Sequence, residues 1–257
     1  MASEVIAALE LDKSDINNKL LIITERNDAN SSFILSCVMS ERYNKDSAFL
    51  IVTLANTFRH YHNVGMKLGY NLDKLSKIKK LDTIEILQHL SESICNSSNL
   101  EDHINFLDVN KTDIIKNLTN LIRFKLNELF RTNTNVCLII DDISYLLDLN
   151  IPVRDIYIFK QNLKNMLNVM ENLSIVLSVA VKSQEDLIIA NSFRHIGDSV
   201  IELSGLKTGK SDLVTGVMHI RRLNEDLKSW GAQNIYHYKL LDRQIRIFAP
   251  GTANTIV

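Results

Sequence analysis

The stretch Asn135-Val-Cys-Leu-Ile-Ile-Asp-Asp-Ile-Ser-Tyr-Leu-Leu-Asp148 decides how the fold is read. Five consecutive apolar residues, Val136 to Ile140, run into two adjacent carboxylates, Asp141 and Asp142. An uninterrupted apolar run of this length suits a strand buried on both faces, as inside a parallel sheet. In open α/β sheets the C-terminal strand ends face the ligand crevice, which puts both aspartates at its edge. In P-loop nucleotide hydrolases a carboxylate in that place holds the Mg²⁺ that bridges the phosphates.

Upstream, Lys19 to Thr24 reads as a first core strand, followed by the polar loop Glu25-Arg-Asn-Asp-Ala-Asn-Ser-Ser32. A helix then begins, with Phe33, Ile34, Cys37 and Val38 on one face. Strand, loop, helix is the setting of a phosphate-binding loop. Laid on G-x-x-x-x-G-K-[ST], however, Glu25 stands for the first glycine, Asn30 for the second and Ser31 for the lysine; Ser32 alone conforms. Without glycines the backbone does not easily turn its N–H groups onto phosphate oxygens. Without the lysine nothing neutralises the β/γ charge, and Glu25 adds a repulsive one. The loop at 25–32 is expected to be degenerate, with no catalytic residue, no metal and no cofactor.

The rest of the chain continues the β/α pattern. Ser47 to Leu54 is a second strand, leading to a short helix over Asn56 to Gly69 with Phe58, Tyr61, Gly65 and Leu68 in line. Leu81 to Leu87 reads as a third strand, and Ser91 to Asn110 as a long polar loop with a short helix, the expected mobile region. A strong helix runs from Thr112 to Phe130; after Asp148 follow a helix from Pro152 to Glu171, a strand from Ser174 to Val181, a helix near Glu185 to Phe193 and a strand at Ser199 to Leu203. Ser204-Gly-Leu-Lys-Thr-Gly-Lys-Ser211 imitates a second phosphate loop, but three residues separate Gly205 from Gly209 where four are needed. Leu213 to Ile220 then reads as a strand, so no helix N-terminus would face a phosphate. Asn234 to Ala249 alternates around Asp242-Arg243 as a hairpin with one solvated face.

With 257 residues, 46% hydrophobic, and only Pro152 and Pro250 as prolines, the chain offers no linker, and one domain spanning 1–257 is expected. The net charge of −1 gives no global push towards nucleic acid, so any such contact needs a local patch. The N-terminus does not read as a signal peptide, and no apolar run approaches a membrane span. Cys37, Cys95 and Cys137 are scattered and odd in number, which suits reduced thiols inside a cell.

A βα-repeated core, a strand ending in Asp-Asp and an antiparallel tail resemble the RecA-type fold: three layers, a mostly parallel sheet with helices on both faces, and antiparallel C-terminal strands. Three stretches sharpen the likeness: Thr57 to Gly69, Val136 to Leu147 and Ile235 to Gly251. In order and spacing they resemble the Elongator complex protein 6 family. That resemblance implies a subunit that joins the fourth and fifth Elongator subunits in a hexameric RecA-like ring, alongside the remaining Elongator subunits. The ring binds tRNA, and the complex modifies the tRNA wobble uridine with chemistry housed in another subunit. It also implies a cytoplasmic protein, with the nucleus as a second compartment, and no membrane contact. Many RecA relatives place a water-activating glutamate after the second strand; here no Asp or Glu occurs between Asp46 and Asp73. Rings of this kind often present Lys-x-Arg to a neighbour's nucleotide, and the matching positions are His219 and Arg221, a departure at the first.

The leading expectation is therefore a non-catalytic ring subunit. Arg221, Arg222, Lys207, Lys210, Arg59 and His62 are its candidate in-trans, RNA or interface contacts; ordinary surface charge is the competing reading of each. Two other readings stand beside it. One is a divergent NTPase using Asp141/Asp142 or the Gly-Lys-Ser turn. The other is a free-standing RNA-binding protein using Arg59, His60, His62 and the run Lys74 to Lys80.

Overall fold

Strands and helices alternate in the order that the hydrophobic pattern predicts. The structure is a computed structural model and describes residues 2–13, 16–88, 114–206, 211, 213–224, 229–242 and 244–251. The order is α1 (Ser3–Ala8), β1 (Leu20–Arg26), α2 (Ser32–Asn44), β2 (Ala48–Thr53), α3 (Phe58–Leu68), α4 (Leu72–Lys77) and β3 (Leu81–Glu85). Next come α5 (Ile114–Phe130), β4 (Val136–Asp141), α6 (Tyr145–Asp148), α7 (Val153–Val169), β5 (Leu173–Ala180) and α8 (Gln184–Arg194). The chain closes with β6 (Ser199–Gly205), β7 (Gly216–Asn224), β8 (Ser229–Trp230), β9 (Asn234–Leu240) and β10 (Ile245–Phe248). The long loop expected at 91–110 lies outside the described residues.

Across the sheet the strands run β10-β9-β7-β6-β1-β5-β4-β2-β3, with β8 added to β7. From β6 to β3 all neighbours are parallel, and β7, β9 and β10 attach antiparallel. The run that opened the sequence, β4, lies between β5 and β2 with every residue buried. Because side chains alternate across a strand, its even and odd positions feed two cores. Leu138 and Ile140 join Leu50, Ile175 and Leu177 under α5, α7 and α8. Cys137 and Ile139 join Ile51, Val176 and Ile201 under α1 to α4.

Local chemistry sets the helix ends. Thr57 caps α3, its hydroxyl accepting the His60 N–H at 3.3 Å, and Gly69 ends it at φ 95°. Ser183 and Asp186 form a reciprocal capping box at α8. Four elements were not foreseen: α1, α4, the single turn α6 and the two-residue β8. The N-terminal helix α1 packs on β10. The lysine run read as solvated surface contains α4, whose Leu72 and Leu75 are buried while Lys74 and Lys77 stay exposed.

The antiparallel half of the sheet is covered on one side only. Met218, Ile220, Tyr238 and Ile245 belong to the α1–α4 core, and Phe33 of α2 meets Tyr238 with ring centroids 5.1 Å apart. The other core takes Val200 of β6 but no residue of β7, β9 or β10.

Replacing Leu138, at the centre of the sheet, by alanine should cost about 2–5 kcal/mol through lost burial and a residual cavity. Phe124 on α5 is 56% exposed, and its replacement by alanine should change stability by no more than about 0.5 kcal/mol. Urea denaturation of the full chain measures both.

Candidate functional site

The loop at 25–32 continues from β1 and turns without glycine. Asn27 (φ 52°) and Asp28 (φ 60°) adopt the left-handed conformation, which these residue types tolerate better than most. The expected obstacle to turning is therefore absent, and the backbone donors are spent in another way. Glu25 bends back so that its Oε2 accepts the Ser31 N–H. Asn30 Oδ1 accepts the Ser32 N–H at 2.8 Å. The N-terminus of α2, the anion-binding end in P-loop proteins, is thus served by the loop's own side-chain oxygens. Gly205, taken from the sequence as part of a decoy motif, has a packing role here. A Cβ on it would lie 2.3 Å from the Asn27 carbonyl oxygen, so the end of β6 can approach this loop only as glycine.

Asp141 and Asp142 stand at the crevice edge as expected, joined by a cis peptide bond, and both are 2% exposed. Asp141 Oδ2 accepts the side-chain amide of Asn56 at 2.9 Å and its backbone N–H at 3.2 Å. Ser178 Oγ donates to Asp141 Oδ1 at 3.4 Å. Asp142 Oδ1 accepts the Ser144 N–H at 3.0 Å, the Ser144 hydroxyl at 2.9 Å and the Ala180 N–H at 3.0 Å. The pair therefore clips the ends of β2, β4 and β5 together. Asn56, Ser144 and Ser178 were not singled out in the sequence. Their only signal was position, since each is a small polar residue in or just after a core strand.

The electrostatics of the loop are one-sided. Burial, reinforced by Asp142, pushes the Glu25 carboxyl up to about 7. Burial also raises Asp142 above the usual carboxylate range, against the hydrogen bonds that pull it down. Tyr61 lies buried beside Asp141, and its hydroxyl is held well above the ordinary phenol range, first by desolvation and then by that carboxylate. A Mg²⁺–nucleotide fits these residues poorly. The lysine position is Ser31, and the carboxylates already accept protein donors. Among the described residues no group of three or more His, Cys, Asp or Glu side chains could hold a metal ion.

The other candidates are scattered. Arg59 is exposed on α3, and His62 Nδ1 lies 3.6 Å from an Asp73 carboxylate oxygen. Arg221 and Arg222, adjacent on β7, point to opposite sides of the sheet. Arg222 turns towards α1, donating to the Ala8 carbonyl at 2.9 Å and pairing with Glu10 at 3.3 Å. Arg221 is exposed on the uncovered side, donating to Gln233 Oε1 at 2.9 Å. Lys207 and Lys210 lie outside the described residues.

A family model described as Elongation complex protein 6 matches residues 3–242. The chain is similar to Elongator complex protein 6 of Drosophila melanogaster, with 25% identity over 98% of both chains. It is also similar to Elongator complex protein 6 of Homo sapiens, with 22% identity over 96% of this chain and 95% of that one. Among solved structures it resembles a KaiC-like protein from the archaeon Pyrococcus horikoshii, with a TM-score of 0.60 and 14% identity over 90% of each chain. That likeness bears on the fold, which is the RecA-like arrangement expected from the sequence.

The raised Glu25 pKa makes a pH-dependent contribution to stability. The protonated form is favoured in the folded state, so the contribution is full below the ordinary glutamate value of 4.5 and is lost as pH rises through about 7. Glu25→Gln keeps an oxygen for the Ser31 N–H and cannot ionise. Its melting temperature should exceed that of the unsubstituted chain at pH 8, and the two should converge near pH 5. Thermal melts across this range measure the difference, with Asp142 leaving a residual slope in both.

Proposed function

The chain belongs to the Elongation complex protein 6 family, and from that premise we propose that it is a non-catalytic, RecA-like subunit of the Elongator complex. In this reading it joins the fourth and fifth Elongator subunits in a hexameric ring and contacts the remaining subunits through that ring. It contributes to ring assembly and tRNA binding, and is needed for modification of the tRNA wobble uridine in the cytoplasm and the nucleus. The modifying chemistry lies in another subunit.

One observation carries the non-catalytic part. The carboxylate of Glu25 accepts the Ser31 N–H at the head of α2, where a nucleotide-hydrolysing relative would present its loop to phosphate. A triphosphate arriving there would meet Asp141, Asp142 and, once ionised above about pH 7, Glu25, without a loop lysine. Two like unit charges about 4 Å apart near a protein surface repel by about 4 kcal/mol, comparable to the stabilisation that the missing lysine would have supplied. The site's own hydrogen bonds favour the empty, self-satisfied loop.

Co-expression with the fourth and fifth subunits tests this directly. The three chains should purify as one assembly whose mass fits a hexamer, and the full chain alone should show no ATP turnover. Asp141→Asn in this subunit should leave any turnover by the assembly unchanged. Hydrolysis by the chain alone, abolished by Asp141→Asn, would overturn the reading.

A further inference from the structure

The sheet ends at β10 on one side and at β3 on the other, and among the described residues no further strand pairs with either. An unpaired edge presents a row of backbone donors and acceptors that another strand can match. Register shows which donors point outward. Leu241 and Gln244 exchange N–H and carbonyl bonds at the hairpin turn, so alternation turns Arg246 and Phe248 of β10 towards Lys239 and His237 of β9. The N–H groups of Ile245 and Ile247 therefore point away from β9. At the other edge the Lys80 carbonyl accepts the Phe49 N–H at 2.8 Å, which turns Lys80, Asp82 and Ile84 towards β2. Leu81, Thr83 and Glu85 present their backbone groups outward.

At each edge one outward donor is taken by a carboxylate. Glu4 of α1 reaches over β10, and its Oε2 accepts the Ile247 N–H at 2.7 Å. Val5, beside it, is fully buried, so α1 is anchored in the core while Glu4 stays exposed. On β3, Asp82 Oδ1 accepts the N–H of its neighbour Thr83 at 2.7 Å. Lys125 of α5 holds that carboxylate, its Nζ 2.7 and 2.8 Å from the two oxygens. Neither bond belongs to the sheet's own ladder. A carboxylate in this place removes the donor from an incoming strand and sets a negative charge where that strand's carbonyl would have to approach. Both strands are also short, four residues for β10 and five for β3, and Pro250 follows β10 with no N–H to offer. Ile245-Arg-Ile-Phe248 otherwise suits strand addition, since three of its four residues are β-branched or aromatic. Its outward donors recur every second residue, which matches a second β10 running antiparallel about a twofold axis.

We propose that Glu4 and Asp82 are edge guards: by occupying the Ile247 and Thr83 N–H groups they keep β10 and β3 from accepting a strand of a second copy of this chain. The guard does not rest on the Elongator reading above. It acts at the two ends of the sheet, away from the crevice, and restricts the chain to contacts made by side-chain faces and helices.

The test uses the full chain, with amide hydrogen exchange and sedimentation over a concentration series. In dilute solution Glu4→Ala should speed exchange of the Ile247 N–H, and Asp82→Ala that of the Thr83 N–H, each by about tenfold, while Ile139 in β4 is unchanged. Glu4→Ala/Asp82→Ala should form larger species at a concentration about tenfold or more below that of the unsubstituted chain. In those species the Ile247 N–H should exchange slowly again, because a strand now takes it. Glu4→Gln/Asp82→Asn keeps an acceptor oxygen at both edges and should sediment like the unsubstituted chain. Melting temperatures in dilute solution should fall by no more than about 2–4 °C in any of these variants, which separates edge pairing from misfolding. An alanine pair that sediments like the unsubstituted chain would overturn the proposal. So would larger species whose Ile247 and Thr83 N–H groups still exchange fast, since these join through another surface. Association of the Gln/Asn pair to the same extent as the alanine pair would also overturn it, because the acceptor oxygens would then not be the guard.

Discussion

The hydrogen bonds accepted by Asp141 and Asp142 at the end of β4 are the constraint on which the crevice depends. A parallel sheet brings several strand ends to one edge, where loop N–H groups lose their regular partners. A buried carboxylate is tolerable only when well supplied with donors. Here each requirement answers the other. Asn56 closes the end of β2 onto Asp141, while Ser144 and Ala180 bring the ends of β4 and β5 onto Asp142. Glu25 does the same near the end of β1, where its backbone carbonyl also accepts the Val181 N–H at 2.9 Å. Acids in positions that suit metal and phosphate chemistry thereby serve as fasteners between loops.

The same sheet divides the molecule electrostatically. The middle of its parallel half, β2, β4 and β5, is buried on both faces, and Glu25, Asp141 and Asp142 gather at the crevice. Its antiparallel half is packed on one side by α1 and α2 and presents Arg26, Arg221, Lys239 and Arg246 on the other. A formal charge of −1 therefore hides a segregation of signs. Antiparallel sheets can leave one face in water because their polar positions alternate with apolar ones, and β7 follows that rule from Met218 to Arg221 and β9 from Tyr236 to Lys239. The crevice and the open face thus differ in sign, with acids gathered at the first and cations on the second.

Much of this was legible along the chain. The apolar runs at Leu20–Ile23, Ala48–Val52 and Val136–Ile140, and Ile175–Val179 with Ser178 inside it, read as buried strands, and the periodic faces between them as helices covering those strands. The absence of glycine and lysine in the loop was equally plain. Less legible were features that depend on residues distant in sequence. Gly205 looked like part of a phosphate motif because its true neighbour, the Asn27 carbonyl, lies far away in the chain. Arg221 and Arg222 looked equivalent, yet strand alternation sends one to solvent and the other to Glu10 on the far side. The short helix α4 was hidden because only Leu72 and Leu75 of its turn are apolar.

By itself the sequence determined the layered α/β fold, since burying long apolar runs requires helices on both faces of the strands. It also determined that the loop at 25–32 carries neither glycine nor lysine, since residue identity alone decides that. Only the tertiary structure decided where the carboxylates and cations point. That outcome depends on which strands become neighbours, and through-space pairing sets hydrogen-bond partners and electrostatic surroundings that no local pattern encodes.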